Sequence, residues 1–369
     1  MSRDRPLLSP IVRALPSTVP FVGPEAQERS RGRPFRARIG ANESCFGPAP
    51  SVIAAMNAAS REMWKYCDPD NHDLKDALAR HLGVGIGNVV VGEGIDGLLN
   101  LAVRMYVAPG DAVVTSLGAY PTFNFHAVGF GGRLIAVPYE ADRENLQGLL
   151  EMARTHSAPL VYLSNPDNPM ATWWEADEVE HFIEALPPAT MLILDEAYGE
   201  TAPPSALPPL DLSRPNVIRM RTFSKAYGLA GIRCGYAIAD AGVIADFEKV
   251  RNHYGVSRMA QLAGAAALAD RDYLAGVVSR VVQGRDRVAR IAQRNGLTPI
   301  PSATNFVTMD CGSDGNFALK VLQGLLERDV FVRKPMAPGL DRCIRVSVGL
   351  DHELTILEEE LPRALAAAR

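Results

Sequence analysis

Residues 221–236 read RTFSKAYGLAGIRCGY, and the fold follows from how this stretch is read. Thr222 and Ser224 set two hydroxyls beside Lys225, the small residues Gly228, Ala230 and Gly231 follow, and Arg233 stands further on. Hydroxyls together with an arginine fork make a clamp for a phosphate. A lysine tucked beside that clamp in largely apolar surroundings can act as an amine nucleophile. Together they describe a site for an aldehyde that carries a phosphate. A Schiff base to such an aldehyde needs an acid to keep the ring nitrogen protonated, so that the ring can serve as an electron sink. The run MLILDEAYGE puts Asp195 at the end of an apolar strand, where a carboxylate is costly unless it is paired. A cationic ring nitrogen would be its partner.

Working outward, short apolar, β-branched runs recur at 88–91, 112–116, 133–137, 159–163, 190–194, 216–220 and 235–238. Helical patterns separate most of them. Strands alternating with helices predict an α/β architecture with a mostly parallel seven-stranded sheet covered on both faces. Beyond about residue 240 the texture changes. Helical patterns at 242–254 and 275–296 precede strands at 304–310, 330–334 and 343–349 and a helix over 316–329. The expected organisation is an N-terminal arm (1–45) packing with the small domain, a large domain (46–270) and a smaller α/β C-terminal domain (271–369).

Ligands of open sheets sit at the carboxyl ends of strands. After the first strand comes GEGIDG, residues 92–97, which matches the G-x-G-x-x-G pattern of dinucleotide sites. A dinucleotide also requires an acid roughly 20 residues on, at the end of the next strand. Ser116, Leu117 and Gly118 stand there instead. The loop therefore reads as a helix start that offers Gly94, Ile95 and Asp96 N–H groups to some other phosphate.

The formal charge of −4 and the absence of a Lys/Arg-rich block argue against a nucleic-acid partner. Five scattered cysteines without a C-x-x-C pair indicate neither a disulfide framework nor a zinc site. Seven isolated histidines suggest no metal. No run approaches the ~20 apolar residues of a membrane helix, and the N-terminus lacks a secretory core. A cytoplasmic protein is expected.

The segment TFSKAYGLAGIRCGY resembles the lysine signature of class I/II pyridoxal-phosphate aminotransferases of fold type I. SNPDNP (164–169), LDEAY (194–198) and GEGIDGLL (92–99) precede it in the matching order. IGANESCFGPAP, KYCDPDNHDLKDALARHLG and RCIRVSVG are similar to the histidinol-phosphate aminotransferase branch. The resemblance implies roles. Lys225 would hold pyridoxal 5'-phosphate and shuttle the substrate proton, and Asp195 would pair with the ring nitrogen. Asn168 and Tyr198 would bond the ring's phenolic oxygen, while Tyr120 would stack on the ring. Thr222, Ser224, Arg233 and the 94–96 amides would hold the phosphate. Tyr66 matches a tyrosine that reaches the neighbouring subunit's phosphate, which implies a homodimer with shared active sites. Arg345 matches the arginine that receives the substrate's anionic group, with Arg333 beside it and Asn42 near the substrate.

Three departures fall on loops expected near the substrate: Met170-Ala171 with Trp173 and Trp174 after Asn168-Pro169, Ser44-Cys45 after Asn42-Glu43, and Arg258 in NHYGVSRMAQ. The expected activity is ping-pong amino transfer between L-glutamate/2-oxoglutarate and a phosphorylated or aromatic amino substrate. Alternatives are a threonine-phosphate decarboxylase-like enzyme on the same scaffold and a catalytically silent cofactor-binding protein. A nicotinamide oxidoreductase lacks its ribose acid.

Overall fold

The computed structural model describes residues 6–16 and 22–369. A short strand near the N-terminus, β1 (Ala37–Arg38), precedes the main sheet. That sheet contains β2 (Val89–Gly92), β3 (Ala112–Ser116), β4 (Arg133–Val137), β5 (Leu160–Ser164), β6 (Met191–Asp195), β7 (Val217–Thr222) and β8 (Gly235–Ile238). Its order is β2-β8-β7-β6-β5-β3-β4. β8 runs antiparallel to both neighbours, and every other pairing is parallel.

Alternate side chains along each strand enter opposite cores, which is why the strands read as unbroken apolar runs. Val90 packs with the helices Gly94–Tyr106, Pro121–Gly129 and Ala241–Phe247. Val89 and Val91 face the helices His72–Leu82 and Arg258–Ala269. Val114, Leu163 and Leu194 face Leu146–Thr155 and Ala176–Ala185. Helix starts are set locally: Ser257 Oγ accepts from Ala260 N at 3.1 Å, and Asn145 Oδ1 accepts from Gly148 N at 2.8 Å.

Chain direction switches between β3 and β5. β3 leads outward to β4, while β5, β6 and β7 follow one another the other way. β3 and β5 pair only at Val113↔Leu160 and Val114↔Val161, so their carboxyl ends part. Such a switch point opens a crevice for ligands.

A second core gathers the helices Arg271–Arg294, Gly315–Glu327 and Asp351–Ala368 around β9 (Thr298–Pro299), β10 (Phe306–Asp310), β11 (Val330–Phe331) and β12 (Cys343–Ser347). β10 lies antiparallel between β9 and β12. β1 pairs in parallel with β11, and Ala37 and Ile39 are buried in this core.

Three local expectations are corrected. The helix expected over 242–254 ends at Phe247. The chain then tightens into i→i+3 turns, and Asn252 Oδ1 accepts from Tyr254 N at 3.3 Å, offering the backbone an alternative to the helix. The strand expected over 330–334 pairs only at Val330–Phe331, with one isolated bridge joining Arg333 to Arg345. The arm carries more structure than its weak periodicity suggests, with helices Pro10–Ala14 and Pro24–Arg31 besides β1. Residues 1–5 and 17–21 of that arm lie outside the described residues.

Candidate active site

A cavity of about 240 Å³ opens at the carboxyl ends of β5, β6 and β7, against the start of the helix Gly94–Tyr106. Ser164, Asp195 and Thr222 each end a strand and line it. The strand ladder fixes their spacing: Ser164 is the register partner of Asp195.

One end of the cavity is built for an anion. The helix that starts at Gly94 has no side-chain cap, so its first amides are available. Gly94 has φ +73°, and a Cβ there would stand 2.7 Å from Arg233 Nη2, so only glycine leaves this approach open. Arg233 donates to Asp96 Oδ2 at 3.2 Å and to Ser224 Oγ at 3.4 Å. Thr222 Oγ1 donates to Ser224 Oγ at 2.9 Å. Tyr120 also lines the cavity, and its hydroxyl donates to Asp96 Oδ1 at 2.8 Å.

The floor holds the acid. Asp195 is 4% exposed. Tyr162 Oη donates to Oδ2 at 2.7 Å and Ala197 N to Oδ1 at 2.9 Å. Burial pushes its carboxyl up to about 6, against the pull of those hydrogen bonds.

Lys225 Nζ donates to the Asn42 carbonyl at 3.1 Å and lies 5.5 Å from the centre of the Tyr198 ring. Asn42 is a buried hub with φ +56°. Its Nδ2 donates to Tyr198 Oη at 3.1 Å, and its N donates to Ser347 Oγ at 3.0 Å. Asn305 Nδ2 donates to the same carbonyl as the lysine, also at 3.1 Å. Gly228 brings this segment against the lysine loop. At φ +69°, a Cβ there would fall 2.2 Å from the Gly47 carbonyl oxygen.

At the opposite end, Asn168 lines the cavity and its Oδ1 accepts from Arg345 Nη1. Burial lowers Arg345 to about 10, its Nε is buried without a partner, and its guanidinium lies 5.0 Å from the Phe306 ring centre. A buried cation with an unused donor suits an incoming carboxylate or phosphate.

Lys225, Asp195, Tyr198, Tyr120, Asn168, Thr222, Ser224, Arg233, Ile95 and Asp96 are thus brought to one cavity. Arg333, Arg345, Tyr66 and Asn42 do not themselves line the cavity. Arg333 pairs its backbone with Arg345, while its Nη2 donates to the Val22 carbonyl at 2.7 Å. Tyr66 lies outside the cavity, 83% exposed and 5.2 Å from the Tyr254 ring. Asn42 meets the lysine through its backbone carbonyl. Trp173, Trp174 and Arg258 do not line this cavity. Trp174 turns away, its Nε1 donating to the Glu144 carbonyl at 2.9 Å. Sequence reasoning missed Tyr162, Asn305 and Ser347. Only the position of Tyr162 two residues before a strand end hinted at a role.

A lysine amine, a buried acid and an anion clamp at the carboxyl ends of one open sheet define the fold type I class of pyridoxal-phosphate enzymes. The family model for aminotransferase class I and II matches residues 38–359, and the chain belongs to that family. It is 35% identical to a histidinol-phosphate aminotransferase of Anaeromyxobacter sp. over 369 residues, covering 98% of this chain and 100% of the relative. A crystal structure of histidinol-phosphate aminotransferase from Sinorhizobium meliloti in complex with pyridoxal-5'-phosphate superposes with TM-score 0.96. That pair is 53% identical, covering 98% of each chain. A Thermus thermophilus aspartate aminotransferase mutant shares the fold at TM-score 0.82 and 21% identity, covering 98% of this chain and 100% of that one. The residues present fit pyridoxal phosphate. An amine, a ring-side acid and an uncapped helix start with hydroxyls and a guanidinium supply every class of donor it needs.

Proposed function

We propose that the chain is a pyridoxal-phosphate-dependent aminotransferase of the histidinol-phosphate type. It exchanges an amino group between L-glutamate/2-oxoglutarate and a phosphorylated amino substrate in two half-reactions. The observation that carries this reading is the convergence of Lys225 and Asp195 on the cavity that Arg345 borders through Asn168.

When bound, the cofactor supplies the electron sink that lets a proton leave the substrate's α-carbon. Asp195, buried at the cavity floor, would hold a proton on the ring nitrogen. Lys225 Nζ would hold the cofactor and, freed when substrate binds, would accept and return the substrate's α-proton. The Asn42 carbonyl, with Asn305 behind it, sets where that amine rests between transfers. Asn168 and Tyr198, which line the cavity, would hold the ring through its phenolic oxygen. Thr222, Ser224, Arg233 and the amides at 94–96 anchor the phosphate. Arg345 receives the substrate's anionic group.

The exposed Tyr66 supports a homodimer in which this ring completes the partner subunit's phosphate site. The arm, large-domain and small-domain boundaries at 45 and 270 belong to the same reading. The cytoplasmic location expected from the sequence stays part of this reading. Among the described residues no helix is long and apolar enough to cross a membrane.

The test is the visible absorption of the purified protein with pyridoxal phosphate, before and after L-glutamate, beside Lys225→Ala. The wild type is expected to be coloured and to bleach with glutamate. The variant is expected to lose covalent attachment of the cofactor and on the order of 10³-fold in turnover. A coloured protein indifferent to glutamate refutes the donor assignment, and a protein that takes up no cofactor refutes the whole reading.

A further inference from the structure

The crevice between β3 and β5 contains a group that the reaction scheme leaves unused. Glu144, at the residue before the helix Leu146–Thr155 is capped by Asn145, is 2% exposed. Its Oε1 accepts from Ser164 N, at the end of β5, at 2.9 Å. Its Oε2 accepts from Ser116 Oγ, at the end of β3, at 2.5 Å. Those two strands stop pairing at Val114 and Val161, so the carboxyl of Glu144 spans the gap that the missing ladder leaves.

We propose that Glu144 is a positioning residue of the active site, bridging the ends of β3 and β5 as an un-ionised carboxyl. It thereby fixes Ser164, which lines the cavity, and the turn from 164 to 174 that presents Asn168. The hydrogen bonds of that turn converge on the bridge. Ser164 Oγ donates to the Pro166 carbonyl at 3.0 Å. Trp174 Nε1 donates to the Glu144 carbonyl at 2.9 Å, and Trp174 N donates to Asn165 Oδ1 at 2.8 Å.

The surroundings set the protonation state. Among the described residues no ion pair includes Glu144, and the charged groups acting on it are the carboxyls of Asp167 and Asp195. The facing hydroxyls are already committed: Tyr139 donates to Asp167 at 2.8 Å and Tyr162 to Asp195 at 2.7 Å. A buried carboxylate with carboxyls for neighbours and no cation is expensive. Burial, with the charge of Asp167 added, accordingly pushes the Glu144 carboxyl well above the usual range. Un-ionised, the carboxyl keeps both contacts, its carbonyl oxygen on the Ser164 N–H and its O–H turned to Ser116 Oγ, which then accepts where it otherwise donates.

Glutamine reproduces that pattern, oxygen to Ser164 and NH₂ to Ser116. Aspartate keeps the acid but is one methylene too short to span the gap. Leucine fills the volume but leaves the Ser164 N–H unpaired. The positioning role rests on the reading of the cavity as a cofactor site, whereas the protonation state does not, so two measurements separate them. The first is the infrared difference between cofactor-free wild type and Glu144→Gln at neutral pH. The carbonyl stretch of a protonated acid is expected to vanish in the variant, and loss of carboxylate bands instead overturns the proposal. The second is titration with pyridoxal phosphate. Glu144→Gln is expected to bind within about threefold of wild type, and Glu144→Asp and Glu144→Leu to bind about tenfold or more weakly, the effect of one lost buried hydrogen bond. Aspartate equal to glutamine, or leucine equal to wild type, overturns the positioning role.

Discussion

The two walls of the cavity are assembled in different ways. The cofactor wall takes Ser164, Asp195 and Thr222 from adjacent strands of one sheet, and the ladder that forms the fold also sets their spacing. The substrate wall is stitched from distant segments. Asn42 reaches Ser347 across 305 residues of sequence, Lys225 reaches Asn42 across 183, and Arg345 reaches Asn168 across 177. The first wall is fixed once the sheet forms. The second exists only while the core around β10 and β12 is docked on the large sheet, held by side-chain hydrogen bonds that each contribute about 1 kcal/mol. Changes in the first wall should therefore destroy chemistry in an intact fold, and changes on the small-core side of the second, at Arg345 and Ser347, should shift substrate binding and stability together.

Asp195→Asn gives the largest effect and separates chemistry from stability. Transamination is expected to fall on the order of 10²–10³-fold, the usual loss when one preorganised electrostatic partner is removed. The folded protein nonetheless gains. The carboxyl titrates at about 6 in the fold against a reference of 3.8. In cofactor-free protein its stability contribution is complete below pH ~4 and falls as pH rises from about 4 to about 6. It is lower by on the order of 3 kcal/mol above that. Cofactor-free Asp195→Asn should therefore melt above wild type at pH 8 and show no such advantage at pH 4. Thermal denaturation at both pH values checks the sign. A variant less stable than wild type at pH 8 would mean that the acid is compensated without the cofactor.

The same contrast explains what could be read from the chain alone. β2, β3 and β5–β8 were legible because strands buried on both faces leave continuous apolar runs. Lys225, Asp195 and the 94–96 loop were legible because chemistry at strand ends stands next to those runs. Asn305 and Ser347 were not, since nothing near either residue in sequence signals a partner at Asn42. The bond from Arg333 to the Val22 carbonyl was not legible either, since it reaches into an arm whose packing the pattern does not encode. Glu144 was passed over because a glutamate beside a helix cap ordinarily faces water.

Arg345→Lys probes the substrate wall at its charged end. A lysine keeps the charge but gives up the planar fork and the unpaired Nε that the pocket holds ready. The expected outcome is a rise of about 10–100-fold in KM for L-glutamate, the size of one or two charge-assisted hydrogen bonds, with a smaller change in kcat. Steady-state kinetics with the cofactor saturating makes the measurement. An unchanged KM would remove Arg345 from the anion site and leave its contact with Asn168 as packing alone.

Ser347→Ala should have the smallest effect and gives the finest test of how the second wall is held. Ser347 Oγ accepts from Asn42 N at 3.0 Å and lies 3.1 Å from Asn42 Oδ1, so the alanine strips a buried amide of its acceptor. That costs about 1–2 kcal/mol, or a fall in Tm of about 2–4 °C for a chain of this class. The chemistry should change by only a fewfold, because the Asn42 carbonyl still meets Lys225 Nζ and Asn305 Nδ2 still supports it. Loss of stability with kcat nearly intact would show that the hub carries redundant bonds, each replaceable. A kcat deficit as deep as that of Asp195→Asn would show instead that placement of the lysine depends on the small-core side of the hub. The division between a chemical wall and a binding wall would then fail at Asn42.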